Sequence, residues 1–565
     1  MALKKSQLYS TLWESCNALR GSMDASQYKD YVLMVLFIKY LSDKDAPDSD
    51  FTIPDECHFR DFVALKGNPH IGEEINKRLE KIKEENAWII GDLSLPNFND
   101  PAKLGSGRTM VDALSKLIGV FENDALDFSK NRAVDDDLLG DAYEYLMKNF
   151  AAESGKSKGQ FYTPAEVSRV IAMVLEMGEF ERASNTIYDP ACGSGSLLLR
   201  ALGETPRQNL SIRGQEKDAT TATLAKLNML LHGITTAEIE IGDTLNDPKF
   251  RSSTHLETFD IGVANPPFSM KNWLGDAGES DIYNRWNPNL LPPEKNGDYA
   301  FLLHLIRSLK DDPGHEGRCA CILPHGVLFR GNAEYVIRRD LIEKHLIKGI
   351  IGLPPNLFFG TGIPASIILI DKRDTKERKG IFFIDAKEGF MKDGAKNRLR
   401  EQDIRRIVDT WREQKEVPHS SRLATWDEIA RNDYNLNIPR YVEARDTSVK
   451  HNLDGHLRGG ISNEEIDAFG VEWQSFPEMR DRLFKPLRAG FSTLRIDSAE
   501  IAPLLEASES AAKIRADLGA SFTKWTAFAR SSIMQDLTRK PKTTIELLGT
   551  AMLKDSGFVS AVIDP

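Results

Sequence analysis

The sequence has few cysteines, no long hydrophobic run and no excess of positive charge. Its five cysteines are scattered over 565 residues and form no C-x-x-C pair. This pattern excludes a disulfide scaffold and gives no support for a zinc site. The longest early apolar run, residues 32–38, is far too short to cross a bilayer. No signal-peptide core precedes it, so we expect a soluble, cytoplasmic protein with no metal and no membrane contact.

The charge balance argues against a chain that holds nucleic acid by itself. Lys and Arg number 73 against 84 Asp and Glu, which gives a net charge of −11. Nucleic-acid binding needs clustered positive charge to contact phosphates. If DNA is the substrate, a local basic cleft or a basic partner protein has to supply the attraction. The length is sufficient for about three or four domains.

The most informative stretch is a buried strand that ends abruptly in two prolines. Residues 259–264 are mostly apolar, and Pro266 and Pro267 then stop the strand because neither can donate to a sheet ladder. Asn265 is therefore expected at the carboxyl end of a core strand, followed by a stiff turn and Phe268. In open α/β sheets, this end of the strands is where ligands bind.

Asn-Pro-Pro-Phe in this setting resembles the catalytic motif of methyltransferases that modify exocyclic amino groups, adenine above all. The Asn265 side-chain oxygen and the Pro266 carbonyl can each accept a hydrogen bond from such an NH₂ group. Phe268 would stack on a base that has left the duplex. The structural alternative is a Pro-Pro turn in which Phe268 only anchors the core.

A glycine-rich turn lies between a strand and a helix at residues 185–198. Leu198 occupies the place of the third glycine of a dinucleotide fingerprint, which argues against NAD. The arrangement Asp189-x-x-x-Gly193-x-Gly195 is similar to an S-adenosylmethionine loop, and Cys192 and Ser194 lie within it. The site around Asp189 would receive the cationic methionine end of the cofactor. A phosphate-binding loop is the alternative.

Two further strands end in acids. Glu216 follows the glycines by about twenty residues, where a carboxylate can accept both ribose hydroxyls. Asp243 ends the next strand and could accept from the adenine amino group of the cofactor. Either acid could also be a solvated strand-end or turn residue.

The element Gln160-Phe161-Tyr162-Thr163-Pro164 precedes a predicted helix over residues 165–177. Thr163 can cap that helix with Pro164 at its first position, and capping alone would explain both residues. The functional alternative is that Phe161 and Tyr162 cover a cofactor at the first strand. The likeness to amino-methyltransferases, which carry Phe-Tyr-Thr-Pro before the cofactor loop, favours this alternative.

Hydrophobic periodicity predicts the rest of the architecture. Sequence patterns predict amino-terminal helices over 28–41, 71–88, 110–121 and 135–150, a linker over 151–159, strands over 318–323, 346–353, 366–371 and 380–385, helices over 298–309 and 332–345, an extended element over 434–441 and helices beyond residue 478. The short link between the strands 346–353 and 366–371 predicts an antiparallel hairpin at the sheet edge. The loop 273–295 is long enough to be functional, by contacting DNA or closing over the base.

Five segments together resemble the modification (M) subunits of type I restriction-modification systems. These segments are residues 159–164, 189–196, 265–268, 323–331 and 434–437. The resemblance implies S-adenosylmethionine-dependent N6 methylation of adenine in double-stranded DNA. It also implies two M subunits per complex, a separate specificity (S) subunit that selects the target, and a restriction (R) subunit.

We therefore expect an α/β protein with a Rossmann-like methyltransferase sheet, an amino-terminal all-α domain and a carboxyl-terminal helical tail. The domains are placed at 1–152, 153–445 (catalytic) and 446–565 (subunit docking). Three other functions stay open. They are a stand-alone DNA adenine methyltransferase, an RNA or protein-glutamine methyltransferase with the same motif, and an inactive scaffold that only binds the cofactor.

Overall fold

The chain forms two compact units, residues 1–445 and 446–565. The structure is a computed structural model, and it describes residues 9–10, 12–14, 25–44, 51–90, 94–123, 126–130, 145, 163–179, 185–205, 210–232, 234–275, 281–358, 362–394, 396–443, 452–536 and 541–552. The predicted helix 135–150, apart from residue 145, and the linker 151–159 lie outside these residues. Gln160, Phe161 and Tyr162 also lie outside them. Within these ranges no helix combines the length and the apolar character needed to span a bilayer.

The amino-terminal part of the first unit is helical, as predicted. Its helices are α1 (Ala25–Lys44), α2 (Phe59–Val63), α3 (Ile71–Glu85), α4 (Ala87–Ile90), α5 (Pro101–Leu104) and α6 (Arg108–Phe121). The apolar residues 31–38 of α1 are all buried. Because α1 is apolar on every side, it forms the centre of this lobe and the amphipathic helices α3 and α6 pack around it.

The rest of the first unit is built on one large sheet. Its strands are β1 (Thr186–Asp189), β2 (Ser211–Glu216), β3 (Glu238–Ile241), β4 (Ile261–Ala264), β5 (Arg318–Pro324), β6 (Ile347–Gly352), β7 (Ala365–Asp371), β8 (Gly380–Asp385) and β11 (Ser421–Thr425), in the order β11-β8-β6-β7-β5-β4-β1-β2-β3. A separate small hairpin joins β9 (Met391–Asp393) to β10 (Lys396–Arg398). The helices are α7 (Ala165–Val174), α8 (Ser196–Gly203), α9 (Ala219–Leu231), α10 (Asp298–Arg307), α11 (Ala333–Glu343), α12 (Glu401–Glu413) and α13 (Trp426–Arg431).

The half of the sheet that carries the predicted site is parallel. β1 pairs in parallel with β2 on one side and with β4 on the other, and β2 pairs in parallel with β3. All four residues of β4 are buried, as expected for a strand covered on both faces. Because these strands run in one direction, their carboxyl ends meet at the same edge of the sheet.

The other half of the sheet differs from the prediction. β6 and β7 do form the antiparallel hairpin, but its predicted place at the sheet edge is wrong. β7 inserts between β5 and β6, β8 then adds in parallel to β6, and β11 forms the edge. The predicted extended element 434–441 contains instead a 3₁₀ turn, Ile438–Arg440.

The helical lobe packs directly on a helix of the catalytic sheet. Leu224, Leu227 and Leu230 of α9 belong to the hydrophobic core of the amino-terminal lobe. Ala222 and Ala225, on another face of the same helix, belong to the core beneath the sheet. α9 is therefore shared by the two cores.

The second unit is helical, but it also contains a small sheet that the sequence analysis did not predict. Its helices are α14 (Leu453–Arg458), α15 (Asn463–Asp467), α16 (Gly470–Ser475), α17 (Met479–Leu483), α18 (Ile501–Glu506), α19 (Glu509–Gln535) and α20 (Pro541–Thr550). The antiparallel strands β12 (Ile461–Ser462), β14 (Phe491–Leu494) and β13 (Phe484–Arg488) lie side by side in that order.

Candidate active site

The turn after β1 has the backbone geometry of a ligand-binding loop. Gly193 has φ +54° and Gly195 has φ +77°, both in the left-handed region. The Gly195 N–H donates to the Cys192 carbonyl over 2.8 Å and closes the turn directly before α8. A Cβ added to Gly193 would meet no atom of the described residues within 4 Å. The loop thus leaves room for a ligand to approach its backbone closely.

Asp189 places a buried carboxyl group at the start of this loop. The residue is 1% exposed, and its Oδ1 accepts a hydrogen bond from the Ala191 N–H over 2.9 Å. Burial, with a smaller effect of the negative charge on Glu216, raises the Asp189 pKa to about 8. A cation bound nearby would favour the ionised carboxylate.

Glu216 connects the glycine-rich loop to the next helix. Its Oε2 accepts from the Gly193 N–H over 3.1 Å, and its Oε1 accepts from the Asp218 N–H over 2.9 Å. Burial raises its pKa, although these backbone donors oppose the shift. The two bonds fix the plane of the carboxylate, and each oxygen keeps acceptor capacity for a further donor.

Asp243 is already engaged by neighbouring groups. Its Oδ2 accepts from Lys217 Nζ over 2.7 Å, and its Oδ1 accepts from the Leu245 and Asn246 N–H groups over 3.1 and 3.3 Å. Burial raises the Asp243 pKa, but the hydrogen bonds from Lys217 and Asn246 outweigh burial and the net shift is downward. Asp243 therefore organises the turn after β3 in addition to any contact with a ligand.

Cys192 and Ser194 have structural contacts within the loop. The Cys192 thiol packs against β2, since a Cβ on Gly214 would stand 3.0 Å from its sulfur, and burial raises its pKa. The Ser194 hydroxyl lies 2.9 Å from that of Ser196, and the Ser194 carbonyl accepts from Asn228 Nδ2 over 3.1 Å. The side chains of Cys192 and Ser194 are thus occupied by contacts within the protein, which leaves their backbone groups for any contact with a ligand.

Asn265 stands just beyond the carboxyl end of β4, on the strand next to β1. Its Nδ2 donates to the Thr163 hydroxyl over 3.0 Å. Its Oδ1 is buried and has no hydrogen-bond partner among the described residues. A buried acceptor without a donor costs about 1–3 kcal/mol, so its retention suggests that a donor arrives with a ligand.

This bond corrects the predicted role of Thr163. The first residue of α7 is Ala165, Pro164 occupies the N-cap position, and no side chain caps the helix. The predicted capping by Thr163, with Pro164 at the first helical position, is therefore wrong. Thr163 is 6% exposed, and its hydroxyl holds the Asn265 amide instead.

The prolines and the aromatic ring of the motif continue the strand end into a stiff turn. Pro266 is buried, whereas Pro267 and Phe268 are half-buried. The Phe268 ring meets Phe358, from the β6–β7 connection, edge to face with centroids 6.0 Å apart. Phe268 thus has both a core contact and an accessible part.

Two family models match the chain. The family described as N-6 DNA Methylase matches residues 134–450, and the HsdM N-terminal domain matches residues 8–121. The MpnII methylase subunit of a type I restriction enzyme from Mycoplasma pneumoniae is 31% identical over 516 residues, which cover 81% of this chain and 92% of that protein. The MjaVIII methylase subunit from Methanocaldococcus jannaschii is 36% identical over 78% of each chain.

The chain belongs to the N-6 DNA methylase family. It is an adenine-specific DNA methyltransferase, of the class of methylase subunits of type I restriction enzymes. Among solved structures, the type I methyltransferase subunit from Streptococcus thermophilus superimposes with a TM-score of 0.66 at 32% identity, covering 78% of this chain and all of that one.

Several residues that organise this methylase site were missed by the sequence analysis. Arg285, buried, pairs with Asp281 over 2.8 Å and donates to the Thr244 and Leu245 carbonyls. This anchors the loop 281–295 to the turn after β3. The aromatic residues of the long loop, Trp273, Tyr283 and Trp286, are buried at 1%, 5% and 4% exposure. They hold the loop to the core, and a contact with DNA would have to come from other residues of the loop.

Asp298 and Arg330 are the other residues that were missed. Asp298 accepts from the Ser269 N–H, immediately after Phe268, over 2.6 Å, and it pairs with Arg330 over 3.1 Å. An acid at the first position of a helix is usually an electrostatic cap, so the pattern gave no signal for this contact. Among the described residues, no cluster of His, Cys, Asp and Glu could hold a metal ion.

Proposed function

We propose that this chain transfers a methyl group from S-adenosylmethionine to the N6 amino group of an adenine everted from duplex DNA. The observation that carries this proposal is the buried Asn265 Oδ1, which has no partner among the described residues. Asn265 follows β4, the strand that pairs with β1, and β1 leads into the glycine-rich loop. An exocyclic NH₂ group is a donor of the kind that this oxygen lacks.

The residues around the loop fit S-adenosylmethionine. Gly193 leaves open space above its backbone. Two backbone N–H groups fix the orientation of the Glu216 carboxylate, and its two oxygens can still accept hydrogen bonds from both ribose hydroxyls. The buried Asp189 carboxyl lies where a cationic amino acid end would stabilise its ionised form. When bound there, the cofactor supplies an electrophilic methyl group.

We assign the catalytic roles to the motif after β4. The Asn265 Oδ1 accepts one amino hydrogen of adenine, and the Pro266 carbonyl accepts the other. Both contacts would localise the nitrogen lone pair toward the methyl group that the bound cofactor supplies. The carbon–sulfur bond would break as the carbon–nitrogen bond forms, the sulfur would leave as a neutral thioether, and N6 would release one of its two protons to solvent, so no strong base is required. Phe268 stacks on the everted base, and Pro267 stiffens the turn. We assign Gln160, Phe161, Tyr162, Thr163 and Pro164 to cofactor binding from their resemblance to the motif of the family. Thr163 also orients Asn265 through the 3.0 Å hydrogen bond.

We also propose the partners and the domain roles. The net charge of −11 supports a separate, DNA-binding specificity subunit. The relatives of this chain are named methylase subunits of type I restriction enzymes, which supports a complex with specificity and restriction subunits. Two copies of this chain per complex and a cytoplasmic location are further parts of the proposal. Residues 1–152 form the helical lobe, 153–445 the catalytic domain and 446–565 the docking region.

The test is methyl transfer to duplex DNA by the full chain, purified alone and with the proteins that co-purify with it. Tritiated S-adenosylmethionine is the donor, and digestion of the DNA to nucleosides identifies the product. We expect N6-methyladenine only when the specificity protein is present. Transfer by the chain alone would favour a stand-alone enzyme, label in RNA or protein would favour the other substrates, and cofactor binding without transfer would indicate a scaffold.

A further inference from the structure

The turn after the catalytic motif is held by a carboxylate from another helix. Asp298, at the start of α10, is 0% exposed, and its Oδ1 accepts from the Ser269 N–H over 2.6 Å. Ser269 follows Phe268 directly and has φ +54°, which is uncommon for a residue other than glycine. The neighbouring Gly297 N–H donates to the Met270 carbonyl over 2.9 Å. The start of α10 thus fixes the backbone where the catalytic turn ends.

Arg330 holds the other oxygen of the Asp298 carboxylate. Its Nη1 donates to Asp298 Oδ2 over 3.1 Å and to Glu334 Oε1 over 3.3 Å. A Cβ on Gly326 would lie 2.5 Å from the Arg330 guanidinium. A side chain at position 326 would therefore force the Arg330 guanidinium to shift from its present place.

A second buried arginine, Arg338, links two of the segments that resemble the family, 323–331 and 434–437. Arg338 of α11 is 1% exposed. It donates to the Arg330 carbonyl over 2.9 Å and to the Tyr434 carbonyl over 2.8 Å. The two segments lie far apart in sequence, and both accept a hydrogen bond from the Arg338 side chain. These bonds hold the backbone of Arg330, whose side chain reaches Asp298.

The cluster contains two buried carboxyl groups and one guanidinium between them. Asp298 and Glu334 are 0% and 2% exposed, and burial raises the pKa of both. Glu334 Oε2 has no hydrogen-bond partner among the described residues. The positive charge of Arg338 also acts to lower the Glu334 pKa. The negative charges of the two acids act to raise the pKa of the neighbouring Tyr299, and that of Asp298 also acts to raise the pKa of Cys321. Removal of Arg330 would leave two like charges close together in a dry environment.

We propose that Asp298 is a positioning residue for methyl transfer, which holds the Asn265–Phe268 turn in its reactive geometry as a carboxylate balanced by Arg330. This inference rests on the proposed function. Asp298 does not touch the reacting atoms; it acts through the Ser269 N–H.

The first test compares Asp298→Ala with Asp298→Asn in the full chain with its co-purified partners on a target duplex. Asp298→Ala removes the acceptor of the Ser269 N–H, and we expect kcat to fall by at least about tenfold. Asp298→Asn keeps a side-chain oxygen for the Ser269 N–H but loses the negative charge that Arg330 balances, so its kcat should lie between those of the wild type and Asp298→Ala and should lack the acidic limb described next. The dissociation constant of S-adenosylmethionine should be unchanged in both variants, because the turn lies outside the cofactor loop.

The second test uses the charge balance. Without Arg330, Asp298 should hold its proton to higher pH, so the acidic limb of the kcat profile should move up by about one pH unit in Arg330→Met. The double variant Arg330→Met/Glu334→Gln removes one of the two like charges and should return the limb toward that of the wild type. Arg339→Met is the matched control, since Arg339 lies on α11, the helix that carries Glu334, and pairs with Glu343 at the surface.

The outcomes separate this inference from the proposed function. A wild-type complex without methyl transfer would refute the proposed function. An active wild type with Asp298→Ala of equal kcat would overturn the positioning role. If Asp298→Ala does not fold, the pH profiles decide: equal acidic limbs in Arg330→Met, the double variant and the wild type would overturn it as well.

Discussion

The Asn265 amide nitrogen donates to the Thr163 hydroxyl over 3.0 Å and joins the end of β4 to the segment before α7, two residues ahead of its first residue. The bond turns the amide so that Oδ1 remains without a partner among the described residues. A residue 102 positions earlier in the chain therefore determines which atom of the amide that we propose as catalytic is left free to accept.

Thr163→Val should reduce turnover while the protein stays folded. The substitution keeps the shape but removes the acceptor of the Asn265 amide, which then rotates more freely. A net hydrogen bond of about 1 kcal/mol corresponds to roughly a fivefold lower kcat. Thr163→Ser restores the hydroxyl and should restore kcat. A Val variant with wild-type kcat would show that Thr163 does not orient Asn265.

Asn265→Ala should abolish methyl transfer and leave cofactor binding largely intact. The loss of the acceptor should lower kcat by at least about 100-fold, the size seen when one group that stabilises a transition state is removed. Binding of S-adenosylmethionine, measured by calorimetry, should change little because the loop after β1 is untouched. Asn99→Ala, at an exposed asparagine of the amino-terminal helical lobe, is the matched control. Retained turnover in Asn265→Ala would refute the catalytic assignment.

The order of strand ends was predictable from sequence because it depends on local signals. The glycines of the loop, the Pro-Pro stop after β4 and the acid at Glu216 each mark the end of a buried strand. The parallel pairing of β1 with β2 and β4 then brings them to one edge. Parallel strands end at the same edge of a sheet whatever their order, so little long-range information was needed.

Other features depend on contacts between distant residues, and no local pattern contains them. β11 is a short strand with alternating exposure in a charged region, and it exists because it pairs with β8. Thr163-Pro164 carries a strong capping signal, but the tertiary bond to Asn265 takes the hydroxyl. Asp298 has the position of an ordinary helix-start acid, and only the fold brings it to Ser269.

Gly193→Ala should weaken cofactor binding with only a modest loss of stability. The residue has φ +54°, so alanine there costs about 1 kcal/mol of folding free energy. Its Cβ would project into the open space that we assign to the cofactor, and we expect the dissociation constant of S-adenosylmethionine to rise at least about tenfold. Gly203→Ala, at the end of α8, is the control because its Cβ would also meet no described atom within 4 Å. Equal affinities for both variants would contradict the placement of the cofactor.

Asp189 should make both stability and cofactor binding depend on pH. Its folded pKa of about 8 lies above the ordinary value of 3.8, so the folded protein binds this proton more tightly than the unfolded chain. The group's contribution is therefore present at low pH and is lost as pH rises toward about 8, with a slope of at most about 1.4 kcal/mol per pH unit. Asp189→Asn should flatten the free energy of unfolding between pH 5 and 8, measured in urea. Asp243→Asn should leave that slope unchanged, since the pKa of Asp243 is lowered.

The same proton competes with the cofactor for Asp189. A cationic ligand favours the ionised carboxylate, so the affinity of the wild type for S-adenosylmethionine should rise as pH increases toward about 8. In Asp189→Asn the affinity should be lower and independent of this titration. Calorimetry at pH 6 and pH 7, where the α-amino group of the cofactor keeps its charge, distinguishes the two cases. A wild-type affinity that is equal at both pH values would show that the cationic end of the cofactor does not lie against Asp189.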